Sequence, residues 1–166
     1  RINKYNRNNG MLAGCNHYGF KEDDPKYRIW ISIDTSYSMC KEDIMEGLAV
    51  VQGILKSDTE IDITLCEFDT QIHRITKMDQ DSELLTDVVG RGGTDFNCIF
   101  KHLSEEVPEE EKPDLHIVFT DGGAPPPAEE NRIPVFTMPL LWVLTSEESV
   151  DYFYDNYGDV LRTSSN

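Results

Sequence analysis

Two stretches of this 166-residue chain, RIWISID at residues 28–34 and LHIVFTD at residues 115–121, stay largely apolar for the length of a strand and then end in aspartate. A strand that is covered on one face alternates apolar with polar residues. A near-continuous apolar run of this length belongs to a strand covered on both faces. Between the two runs, Ile44, Leu48, Val51 and Leu55 share one helical face from Lys41 to Lys56, widened by Met45 and Ala49. Phe96, Ile99, Phe100, Leu103 and Val107 form a second amphipathic pattern that stops at Pro108. EIDITLCEFD alternates with a period of two, and TQIHRITKM follows at once as its hairpin partner. LLWVLT reads as a further strand, EESVDYFYDNYG as a short helix and DVLRT as a last edge strand. Buried strands alternating with amphipathic helices predict an α/β fold. It is an open, mostly parallel, doubly wound sheet with helices on both faces and one antiparallel edge strand. Residues 1–27, rich in Asn, Gly and charge, read as an irregular N-terminal extension, a junction to a domain upstream. Residues 28–166 form the domain.

In such a sheet the ligand site lies beyond the carboxyl ends of the strands. Asp34 closes one strand there, with Ser36 and Ser38 following in the turn. Asp121 closes another, followed by Gly122 and Gly123. Thr94 stands in the glycine-rich loop GRGGT just before a helix begins. Two carboxylates and three hydroxyls make an oxygen-only donor set, which suits Mg²⁺ or Mn²⁺ and suits Ca²⁺ less, because the carboxylates are few. Taken singly, each aspartate is explained as well by capping the helix that follows. The ordered conjunction of the three pieces points to a metal site.

Composition narrows the function. Acidic residues outnumber basic ones by 31 to 15, for a formal charge of −16. This balance repels phosphate backbones, so nucleic acid is disfavoured as a partner. No apolar run approaches the roughly 20 residues that span a bilayer, so no membrane role is expected. Cys15, Cys40, Cys66 and Cys98 are scattered without a disulfide or zinc pattern. They read as reduced cysteines of a cytoplasmic protein, and Cys15 with His17 matches no zinc spacing.

The motifs DTSYSM, GGTDF and FTDGG together resemble the metal-ion-dependent adhesion site (MIDAS) of von Willebrand factor A (VWA) domains, over about residues 28–163. GGTDF and the tail LLWVLT…YGDVLRT look most similar to the VWA-like C-terminal domain of predicted bacterial and phage metallopeptidases. The resemblance implies that Ser36, Ser38 and Thr94 touch the metal directly, with Thr94's contact allowed to differ between states. It implies that Asp34 and Asp121 hold the metal mainly through water. Tyr37 departs from the family, which usually has glycine at this position. Asp95 is expected to cap the following helix. The resemblance further implies a non-catalytic interaction domain, accessory to a metallopeptidase-like protein, whose metal docks an Asp or Glu of a partner. A MoxR-type AAA+ ATPase is the partner that similar domains often accompany.

Other readings are weaker. A Mg²⁺-dependent phosphoryl or ester hydrolase using Asp34 and Asp121 would need a second carboxylate where Ser36 stands. A metal-free scaffold, with Asp34 and the serines only organising the turn, is the remaining alternative. Neither GxSxG nor HExxH is present, and His73, His102 and His116 fall in elements with no serine beside them in sequence. DQDSELLTD lacks the glycine and glutamate of an EF-hand and reads as a charge run, and no GK[ST] follows GRGG. Trp30 and Trp142 read as core.

Overall fold

A computed structural model of the chain describes residues 26–57, 60–79, 81–82, 87–131, 138–145 and 157–163. Residues 1–25 of the expected N-terminal extension, residues 147–156 of the helix expected over EESVDYFYDNYG and part of the charge run at residues 79–87 lie outside the described residues. Tyr27, assigned to the extension, already belongs to the first strand, and Tyr157 and Gly158 form a bend rather than helix. The elements run β1 (Tyr27–Asp34), α1 (Lys41–Ser57), β2 (Ile61–Phe68), β3 (Ile72–Met78), α2 (Asn97–Glu105), β4 (Leu115–Thr120), β5 (Leu140–Leu144) and β6 (Asp159–Arg162). The sheet order is β3-β2-β1-β4-β5-β6, with every neighbouring pair parallel except β2–β3. This is the α/β sheet expected, with its antiparallel strand at one edge.

Strand β1 sorts its side chains by the two-residue period of the pleat. Ile29, Ile31 and Ile33 join Ile63, Leu65, Ile117 and Phe119 under α1, which contributes Ile44, Leu48, Val51 and Leu55. Trp30 faces the other way, into a cluster with Phe68, Val118 and Trp142 under Phe96, Ile99, Phe100 and Leu103. The contact face of α1 differs from the expected one in one detail. Ala49 is exposed and Gly47 is buried. A Cβ at Gly47 would lie 3.2 Å from the Phe119 ring, so the helix approaches the sheet most closely where it has no side chain. The second helix is shorter than its apolar pattern, ending at Glu105 with Val107 beyond it, and the acidic connection holds a single 3₁₀ turn at Glu109–Glu111.

The sheet topology positions the site. From β1 the chain adds β2 and then β3 on one side, and it returns to place β4 on the other. The order therefore reverses between β1 and β4. Crossovers leaving in opposite directions open a crevice at the carboxyl ends of these two strands. Asp34 ends β1 and Asp121 directly follows β4.

Candidate functional site

Asp34 is fully buried at the end of the central strand. Its carboxylate accepts hydrogen bonds from the Ser36 amide (2.9 Å), the Thr120 hydroxyl (2.7 Å) and the Thr94 hydroxyl (3.3 and 3.4 Å to its two oxygens). The Ser36 and Ser38 hydroxyls are 3.1 Å apart, with Ser36 buried and Ser38 exposed. Asp121 is half-buried and accepts the Gly123 amide at 2.9 Å. Burial raises the pKa of Asp34. Hydrogen bonds from Thr120 and Ser36 oppose that rise, and the nearby charge of Asp121 adds to it. Thus Asp34, Ser36, Ser38 and Thr94 come together by direct contact, and Asp121 stands close enough for its charge to act on Asp34.

The Thr94 loop is held by a residue that the sequence reading passed over. Asp69 follows β2, a third strand end at the same edge of the sheet. Its carboxylate accepts the amides of Gly92 (2.9 Å) and Gln71 (3.1 Å) and the Thr70 hydroxyl (3.2 Å). Its backbone carbonyl accepts the Asp95 amide at 2.9 Å. His73 Nε2 lies 2.8 Å from Asp69 Oδ1, without the alignment of a hydrogen bond. Burial alone would raise the pKa of this carboxyl group. The hydrogen bonds from the Gly92 and Gln71 amides, with the His73 imidazole beside them, prevail and hold it below the ordinary carboxylate range. Two glycines let the loop approach. A Cβ at Gly90 (φ +121°) would lie 2.5 Å from the Thr35 hydroxyl, and one at Gly92 would lie 2.8 Å from Asp69. Asp95 was expected to cap the helix, but the cap position is Phe96, which has no side-chain cap bond. Asp95 stands one residue earlier, and its carboxylate accepts the Asn97 amide at 2.9 Å in an i to i+2 turn.

The turn after β1 is tied down on both sides. The Thr35 amide (2.7 Å) and hydroxyl (3.0 Å) donate to the Phe68 carbonyl, and the Tyr37 amide donates to the Gly92 carbonyl at 2.9 Å. Tyr37 points outward with 78% of its surface exposed. Asp69, Thr35 and Thr120 could all have been found by applying the strand-end rule to every strand, since CEFDT, SIDTS and VFTD each end in these residue types.

One pairing runs against the sequence reading. Ser32 and His116 meet at 2.9 Å across β1 and β4, although no serine neighbours that histidine in the chain. Both are fully buried, and His116 Nδ1 has no partner among the described residues. A nucleophile–base pair needs access for substrate and a group that orients the base. This pair is part of the core.

The serine pair and the oxygen chemistry of the set are compatible with a small hard cation. Donors 2.0–2.1 Å from an octahedral Mg²⁺ lie roughly 3.0 Å apart when adjacent, and the two serine hydroxyls are separated by 3.1 Å. All five groups are oxygens, without thiol or imidazole.

A parallel sheet with a reversal at its centre, helices on both faces and hydroxyls and carboxylates at that reversal define a domain of the VWA class. The family described as VWA-like domain (DUF2201) matches residues 29–164, and the chain belongs to it. Among solved structures the chain is similar to the ArnB paralog VWA2 of Sulfolobus acidocaldarius. The identity is 17% and the TM-score 0.59, over 82% of this chain and 41% of that one. It is also similar to BatB of Bacteroides thetaiotaomicron, with 18% identity and a TM-score of 0.53 over 84% of this chain and 81% of that one. An aerotolerance-related membrane protein of Bacteroides fragilis matches at 15% identity and a TM-score of 0.50, over 84% and 82% of the two chains. At these identities the likeness concerns the fold. The chain spans less than half of the archaeal protein. No curated protein matches it. VWA-like domains serve in general for protein–protein interaction. Among the described residues no helix is long and apolar enough to cross a membrane.

Proposed function

We propose that this domain is a non-catalytic docking module in which Ser36, Ser38 and Thr94 hold a divalent cation, Mg²⁺ or Mn²⁺, and Asp34 and Asp121 hold it through water. The observation that carries this reading is the 3.1 Å pair of serine hydroxyls beside a buried carboxylate at the reversal of the sheet. A cation bound there supplies an electrophilic position for a carboxylate of a partner protein. The chain's own residues do the rest. Asp34 orients Ser36 and Thr94 through its hydrogen bonds. Thr120 anchors Asp34, and Asp69 holds the loop that carries Thr94. Among these groups no nucleophile is paired with a base beside an open face, which supports docking rather than hydrolysis. In a longer protein the domain would serve as an accessory to a metallopeptidase-like segment, with an acidic segment of a MoxR-type AAA+ ATPase as one partner to test.

The test is calorimetric titration of Mn²⁺ and Mg²⁺ into metal-stripped protein, with and without acetate, beside the Ser36→Ala, Ser38→Ala double variant. One site that the variant loses, with acetate tightening the parent, is the expected result. Absence of binding in the parent even with acetate would leave a metal-free scaffold and end the docking reading.

A further inference from the structure

We propose that Arg91 and Tyr37 form a second contact point at the rim of the site, which selects partner segments carrying two acidic groups. This rests on the docking reading above: one carboxylate goes to the cation, and the second goes to the Arg91 guanidinium. The first observation is the backbone. Arg91 has φ +90°, the only positive φ at a non-glycine residue among those described, and glycine stands on both sides of it. A side chain in that region is strained, and glycine at position 91 would avoid the strain. Strain retained beside a binding loop is a reason to ask what the side chain does.

The second observation is where the side chain is held. The Arg91 amide donates to the Thr35 carbonyl at 3.0 Å, and its Nη1 donates to the Met39 carbonyl at 3.1 Å. These two carbonyls bracket the turn that presents Ser36 and Ser38. The guanidinium carbon sits 5.7 Å from the centre of the Tyr37 ring, a cation–π contact that fixes its position. The third observation is charge. In a chain with 31 acidic and 15 basic residues, Arg91 has no carboxylate within ion-pair distance among the described residues. It is exposed, and the Met39 bond uses one of its five N–H donors. A planar fork with free donors beside an exposed aromatic ring matches a carboxylate and the aliphatic stem that carries it. Tyr37, exposed at the rim of the site, thereby gains a role as the floor of this contact.

The test uses fluorescein-labelled synthetic decapeptides carrying one glutamate, or two glutamates separated by one, two or three residues. Anisotropy is read with saturating Mg²⁺ for the parent, Arg91→Gln and Arg91→Lys, and Mn²⁺ affinity is measured for each. At the best spacing the parent should bind the two-glutamate peptide about twofold to fivefold tighter than the one-glutamate peptide, as a solvent-facing ion pair allows. Arg91→Gln should lose that preference while keeping one-glutamate binding and Mn²⁺ affinity, and Arg91→Lys should keep part of it. A preference that survives in Arg91→Gln, or no preference in the parent at any spacing, overturns the proposal. So does an equal loss of Mn²⁺ affinity in Arg91→Gln, which would make Arg91 a strap for the serine turn. If the parent captures no peptide in a Mg²⁺-dependent manner, the docking reading falls and this inference falls with it.

Discussion

Asp34 and His116 are both fully buried polar groups on neighbouring central strands, and they solve the problem of burial in opposite ways. Asp34 sits where its strand ends, and loops bring it donors from Ser36, Thr94 and Thr120. His116 sits near the start of β4, flanked by β1 and β5. One ring nitrogen meets Ser32, which also accepts the Trp30 indole N–H at 3.2 Å, and Phe100 packs edge-on against the ring. The other nitrogen has no partner among the described residues. A buried carboxylate at a strand end can gather a site around itself. A buried imidazole between strands and aromatic rings can only stay neutral, and burial lowers its pKa to about 3.

The comparison breaks most visibly at the sealed group. His116→Ala should destabilise the domain by about 3 kcal/mol, through the space left beside Phe100 and the loss of the bond to Ser32. Chemical denaturation at neutral pH reads this directly. A loss under 1 kcal/mol would mean that the ring is loosely packed and that the contrast with Asp34 is overstated.

The same residue sharpens the comparison through acid. His116 is neutral in the folded protein until about pH 3, whereas its ordinary value in an unfolded chain is near 6.5. Between those values the unfolded state binds more protons, so stability is fully present above pH 6.5 and declines as the pH falls. The slope from this one group approaches about 1.4 kcal/mol per pH unit. Carboxylates titrate at the lower end of that window, so the comparison is made between parent and His116→Leu from pH 7 to pH 5. The parent should lose stability steeply over that interval and the variant should not. Parallel curves would refute the assignment.

Much of the contrast was legible in advance, and the part that was not has a physical explanation. The strand-end motifs DTSYSM, GGTDF and FTDGG are local, so turn chemistry and chain order placed Asp34, Ser36, Ser38, Thr94 and Asp121 at one sheet edge. The apolar runs made the strands and their faces readable for the same reason. What escaped depends on register across strands. Ser32 reaches His116 because β1 and β4 pair in parallel with Trp30 opposite His116. Glu67 pairs with Arg74 because the hairpin register sets them opposite each other. Asp69 closes a strand in the same way, but its part in the site depends on the Thr94 loop folding back onto it, a contact between segments more than twenty residues apart. Gly47 in place of Ala49 on the buried face of α1 reflects the reach of Phe119, a contact no helical period encodes.

Asp69 gives the next test, of intermediate size. If its carboxylate holds the Thr94 loop from behind, Asp69→Ala should weaken Mn²⁺ binding about tenfold while leaving Ser36 and Ser38 in place. The same change frees the Gly92 and Gln71 amides and should cost about 1–2 kcal/mol of stability. Mn²⁺ affinity unchanged in a folded Asp69→Ala protein would show that Gly90 and Gly92 shape the loop without help.

The smallest expected effect is also the most diagnostic, because its sign opposes the others. Asp34 gathers donors, yet it remains a buried carboxylate whose pKa is raised by burial and by the charge of Asp121. Asparagine at this position keeps one oxygen for the Ser36 amide. Its new N–H groups can donate to the Thr94 and Thr120 hydroxyls, which can turn to accept them. Removing the buried charge should therefore stabilise the metal-free protein by about 1 kcal/mol, the trade expected where a site is kept at the expense of stability, and Mn²⁺ binding should be lost. Thermal denaturation of parent and Asp34→Asn, with and without Mn²⁺, measures both halves. In the metal-free state the variant should melt higher, and with Mn²⁺ the parent should overtake it, since only a folded state that binds the ion gains from its presence. A variant that melts lower under both conditions would make Asp34 a structural anchor of the same kind as His116, and the difference between the two buried groups would disappear.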